Sequence, residues 1–68
     1  MAEQLRNRIK ERRAELEITQ AGLAESVGVT RKTVNTVENN VFTPSATLAI
    51  KLARALGVTV EQLFWIES

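Results

Sequence analysis

The sequence predicts an all-α fold, a compact bundle of about five short helices forming one domain over residues 1–68. Three observations carry this reading. Apolar residues recur at three- and four-residue spacings, and no alternating apolar–polar run is long enough to specify a strand. Helix-start residues (Thr19, Thr30, Thr43, Thr59) and stop residues (Gly28, Gly57) punctuate the chain at short intervals. A chain of 68 residues with 44% hydrophobic and 25% charged side chains suffices for one small core, since folding at this length buries about 60% of the unfolded surface.

The first helix is read over roughly Ala2 to Leu16, with Leu5, Ile9 and Leu16 on one stripe, Arg13 at its edge and charge elsewhere. The second starts after Thr19, a good N-cap, and carries Leu23, Ala24 and Val27 inward. Gly28 stops it. The third starts after Thr30 and runs to about Asn39, with Val34 and Val37 inward. A loop covers Asn40 to Thr43. Thr43-Pro44 then reads as an N-cap followed by proline in the first helical position, where a missing N–H costs nothing. This fourth helix continues to Leu56 on a stripe of Leu48, Leu52, Ala55 and Leu56. Thr59 and Gln62 form a T-x-x-Q capping box that opens a fifth helix, with Val60, Leu63 and Phe64 inward. Phe42 and Phe64 are read as core. A short extended segment at the C-terminus is the one departure from helix that the pattern accommodates.

Composition removes several function classes. The chain has no Cys and no His, which eliminates thiolate and imidazole metal ligands, disulfides and the usual nucleophile–base couples. No metal site, cofactor, small-molecule ligand or enzymatic activity is expected. No apolar run approaches the ~20 residues of a membrane span, and the charged N-terminus does not read as a signal peptide. The expected location is the cytoplasm, with no membrane partner. The net charge of +1 conceals an uneven distribution. Arg6, Arg8, Lys10, Arg12 and Arg13 crowd the first helix, and Arg31-Lys32 stands at the start of the third. Positive charge at a helix N-terminus opposes the helix dipole, so Arg31-Lys32 is a poor choice for stability alone and a good one for an anionic partner.

The stretch from Gln20 to Asn39 is informative. Two short helices flank the turn Gly28-Val29-Thr30. A small residue, Ala24, stands where the helices cross. Gly28 supplies a turn tolerant of positive φ, and Leu23, Val27, Val29, Val34 and Val37 are available to bind the pair. This is a helix-turn-helix arrangement. The text T-Q-A-G-L-A-E-S-V-G-V-T-R-K-T-V-N-T-V-E-N-N, followed by P-S and by K-L-A-R-A-L-G-V-T-V-E-Q-L-F, resembles the Xre or Cro/repressor-like helix-turn-helix family over about Leu5 to Phe64. Two departures are visible. Gly22 stands where the family often has an acidic residue, and Asn40 where it usually has Gly. Asn tolerates the left-handed conformation better than most residues, so the cap is expected to survive.

The resemblance implies a double-stranded DNA-binding transcriptional regulator, most simply a repressor that occupies a promoter. By the family's docking mode the third helix enters the major groove, which assigns base contacts to Arg31, Lys32, Asn35 and Thr36. It assigns phosphate contacts to Gln20, Thr30, Thr33, Asn39 and the backbone near Asn40, and a structural ion pair to Arg13 and Glu38. Two half-sites about 34 Å apart require two reading helices, hence a homodimer. Ile50, Trp65 and Ile66 fall off the inward stripes and are the candidate dimer interface. The alternative is a protein-interaction module, such as an antitoxin or adaptor subunit, that binds DNA only with a partner protein.

Overall fold

Ile9, Leu23, Val34, Val37, Leu52, Leu56 and Leu63 are each at most 2% exposed and meet in one core. The computed structural model that places them describes residues 3–68. Its elements in chain order are β1 (Gln4–Asn7), α1 (Ile9–Leu16), α2 (Gln20–Val27), α3 (Arg31–Glu38), α4 (Ala46–Ala55), α5 (Val60–Leu63) and β2 (Phe64–Glu67). Leu5, Ile18, Val29, Leu48 and Val60 close the core at its margins.

The helix starts follow local hydrogen-bonding chemistry. Thr19 Oγ1 accepts the Gly22 amide at 2.9 Å, Thr30 Oγ1 that of Thr33 at 3.2 Å, and Thr59 Oγ1 that of Gln62 at 3.1 Å. The capping box is complete, because Thr59 N donates to Gln62 Oε1 at 2.8 Å. Each cap satisfies an amide that the helix leaves without a partner, worth about 1 kcal/mol. The stops are equally local. Gly28 and Gly57 have φ of 76° and 70°, and Asn40 has φ of 60°, so the position where glycine was missing is left-handed after all.

The fold is mostly helical, with one small two-stranded sheet. The helix read over Ala2–Leu16 is corrected here. Ala2 lies outside the described residues, Gln4–Asn7 is extended, and the helix begins at Ile9. β1 pairs antiparallel with β2 in the register Gln4↔Glu67, Leu5↔Ile66, Arg6↔Trp65 and Asn7↔Phe64. Leu5 and Ile9 have helical spacing, but the strand owes its existence to a partner some sixty residues away, which local pattern does not carry. Asn7 makes the switch. Its side chain accepts the Ile9 amide at 3.1 Å and donates to the Val37 carbonyl at 3.0 Å.

Three further readings change. The fourth helix starts one cap later than expected: Ser45 Oγ accepts the Leu48 amide at 3.1 Å, and Pro44 lies before the cap. Leu16 is 40% exposed at the end of α1, and Ile18, beyond the left-handed turn at Glu17, packs against the core instead. Phe64 is buried, but Phe42 is 49% exposed in the loop before α4.

Candidate nucleic-acid interface

The α2–turn–α3 unit is built from opposing demands on two faces. Leu23, Ala24 and Val27 of α2 and Val34 and Val37 of α3 are buried. Val34 and Val37 are three residues apart, so they hold one face of α3 against the core. The other face is outward: Arg31, Lys32 and Asn35 are exposed, and Thr36 is half-buried beside them. Val29 N donates to the Ala24 carbonyl at 3.0 Å across the Gly28 turn, which fixes the angle at which α3 leaves α2.

Behind this face lies a connected polar network. Arg13 Nε and Nη2 donate to the two carboxylate oxygens of Glu38 at 2.6 and 3.2 Å, and Arg13 Nη1 donates to the Ile18 carbonyl at 2.9 Å. Gln20 Nε2 donates to Glu38 Oε1 at 3.0 Å. The remaining amide oxygen of Gln20 accepts Arg31 Nε at 3.4 Å. A buried carboxylate on α3 thereby sets which end of the Gln20 amide faces Arg31. The first residues of α2 and α3, Gln20 and Arg31, stand together at one edge of the unit.

The candidate phosphate-contacting residues occupy the ends of the same face. Thr30 and Thr33 share a hydroxyl–hydroxyl hydrogen bond of 3.0 Å at the start of α3. Asn39 caps its far end, donating from its side chain to the Asn35 carbonyl at 2.9 Å. Asn40 follows in the left-handed turn. A helix N-terminus with hydroxyls and free amides suits an anion, and Arg31 and Lys32 add formal charge there.

The N-terminal basic cluster is largely committed within the molecule. Arg6 meets Glu67 at 3.0 Å, Arg8 stacks 4.8 Å from the centre of the Trp65 ring, and Arg12 donates to the Leu56 carbonyl at 2.8 Å and to Glu15 at 3.3 Å. With Arg13 held by Glu38, only Lys10 of that run lacks a partner among the described residues. The candidate dimer residues are all exposed: Ile50 44%, Trp65 38% and Ile66 64%. Trp65 and Ile66 are consecutive in β2 and so project to opposite faces of the ladder, while Ile50 stands on α4.

The sequence reading missed one part of this surface. The backbone amides of Val41 and Phe42 both donate to the Thr36 carbonyl, at 2.9 and 3.2 Å, folding the loop back on α3. Val41 is 78% exposed and Phe42 49%, beside Lys32, Thr33 and Thr36. The available signal was the left-handed cap at Asn40, which reverses the chain onto the helix it ends.

The comparisons with known proteins agree with this geometry. The helix-turn-helix family model matches residues 9–63. The uncharacterized HTH-type transcriptional regulator YgzD of Bacillus subtilis (strain 168) is 41% identical over 63 residues, covering 93% of this chain and 96% of its own. The crystal structure of a candidate DNA-binding protein from Bacteroides fragilis is similar at 34% identity with a TM-score of 0.80, covering 90% of this chain and 98% of that one. The c2 repressor of P22, crystallised with a synthetic operator, is similar at 30% identity with a TM-score of 0.75, covering 78% of this chain and 80% of its own.

Proposed function

The chain belongs to the Xre and lambda-repressor-like helix-turn-helix family of DNA-binding transcriptional regulators, and on that premise we propose that it is a sequence-specific repressor that reads the major groove as a homodimer. The observation that carries the proposal is the division of α3. Val34 and Val37 anchor one face in the core while Arg31, Lys32, Asn35 and Thr36 line the other. Arg31 or Lys32 can donate to guanine O6 and N7, and Asn35 can pair with adenine N6 and N7, each good bidentate contact discriminating by about 1–3 kcal/mol. Gln20, Thr30, Thr33, Asn39 and the backbone at Asn40 fix the register on phosphates, which carry position and not sequence.

A domain of this size reaches one half-site, so a second copy supplies the other. The two-stranded sheet leaves one edge of β2 unpaired, and Trp65 and Ile66 flank that edge on either face. Such an edge with apolar side chains on both sides suits pairing with its own copy. The mechanism is promoter occupancy, in the cytoplasm, governed by protein concentration and the monomer–dimer equilibrium. No step uses a cofactor.

The test is enrichment of bound duplexes from a random DNA pool at near-physiological salt. A palindrome with half-sites about 34 Å apart is the expected result. Folded protein that enriches nothing overturns the proposal.

A further inference from the structure

Val41 and Phe42 form, with Lys32, Thr33 and Thr36, a shallow notch of about 300 Å³ on the same side of the molecule as the outward face of α3. Two exposed apolar side chains side by side are an unusual lining for a face otherwise made of Arg31, Lys32 and Asn35. The loop is also held in place. Both amides rest on the Thr36 carbonyl, and the left-handed turn at Asn40 directs the chain there. Thr36 adds to the apolar character, because its hydroxyl donates to the Thr33 carbonyl at 2.9 Å and its donor hydrogen is thereby spent.

We propose that Val41, Phe42 and the Thr36 methyl group seat the 5-methyl group of a thymine, making the loop after α3 a second specificity element. This rests on the DNA-binding reading of α3. Continuity with that face selects the occupant: the notch shares Lys32 and Thr36 with the proposed base-reading surface, so a duplex lying along α3 passes beside the notch. In the major groove the one apolar group that base pairs present is the thymine methyl, and threonine methyls and phenylalanine rings are among the groups that contact it. Lys32, on the rim of the notch, remains available to the adjoining base or phosphate.

The experiment uses the full chain and the duplex enriched from the random pool. Each thymine is replaced in turn by deoxyuridine, which deletes the methyl and leaves the hydrogen-bonding edge intact. One position per half-site should bind about fourfold more weakly, the value of one buried methyl-sized group. That penalty should vanish in Val41→Thr and Phe42→Ser and persist in Phe42→Leu, each shown to be folded by its helical circular dichroism. Uracil tolerated at every position, an enriched site without thymine, or a penalty unchanged in both polar variants overturns the seat and leaves the DNA-binding reading standing. A pool from which nothing is enriched overturns both.

Discussion

The Arg13 guanidinium on α1 meets the Glu38 carboxylate on α3 through two nitrogens, at 2.6 and 3.2 Å, with the Glu38 side chain only 5% exposed. Removing one member strands the other in a poorly hydrated site. Arg13→Ala or Glu38→Ala should therefore cost about 3–5 kcal/mol, comparable to the whole stability of a domain this small. Thermal unfolding followed by circular dichroism checks this. At about 4–8 °C per kcal/mol, either variant should be largely unfolded at room temperature. Replacing both residues by apolar ones of similar volume should recover most of the loss. A single variant within about 1 kcal/mol of the parent would show that the pair contributes little.

Asn40 offers a gentler test. Its φ of 60° places a side-chain-bearing residue where glycine is at ease. Asn40→Gly should be neutral or slightly stabilising, and Asn40→Val destabilising by about 1–2 kcal/mol. Denaturant midpoints at constant m-value measure the difference. Equal midpoints for the two variants contradict a left-handed cap.

Arg31 and Lys32 should separate by the kind of loss they produce. A base-reading residue changed to Ala should cost about 1–3 kcal/mol and relax selectivity at one position. A phosphate-binding one should weaken all duplexes alike and reduce the slope of log affinity against log salt by about 0.9. Repeating the pool enrichment with Arg31→Ala and Lys32→Ala, alongside a salt titration, assigns each role. Unchanged selectivity in both variants would remove Arg31 and Lys32 from base reading.

The dimer is tested at Ile66. It is 64% exposed, so Ile66→Lys should fold normally. By sedimentation equilibrium it should be monomeric at concentrations where the parent is dimeric. Its affinity for a two-half-site operator should drop by about a hundredfold or more, since the second half-site no longer benefits from linkage. A dimeric Ile66→Lys protein places the interface elsewhere.

The helix-turn-helix was legible because every device that specifies it is local. Thr19, Thr30 and Thr59 cap within three residues, Gly28 turns within one, and Val34 and Val37 keep helical spacing. The errors cluster where the deciding contact is distant or where two local solutions compete. Leu5 and Ile9 look like one helix stripe until Phe64–Glu67 arrives to pair with Gln4–Asn7. Asn7, a good residue for starting a helix, was the neglected boundary signal. Thr43 and Ser45 are both competent caps around Pro44, and the structure uses Ser45. Phe42 looked like core because aromatic residues usually are, and its place follows from the way Asn40 turns the chain. The outward face of α3 follows from the burial of Val34 and Val37.

The β1–β2 ladder has a consequence for the order of events during synthesis. A ribosome makes the chain from the amino end, so Gln4–Asn7 is made before α1, and its hydrogen-bonding partner Phe64–Glu67 follows only after α5. Arg8 N likewise waits for the Leu63 carbonyl, which it meets at 3.0 Å. The helices from α1 to α4 can form and collapse as they appear, because their contacts are mostly between neighbours in sequence. Of these elements, β1 is thus the earliest made and the latest paired. A nascent chain stalled ahead of Leu63 would lack the β1–β2 ladder and the buried Leu63 and Phe64, leaving α3 made but its foundation incomplete.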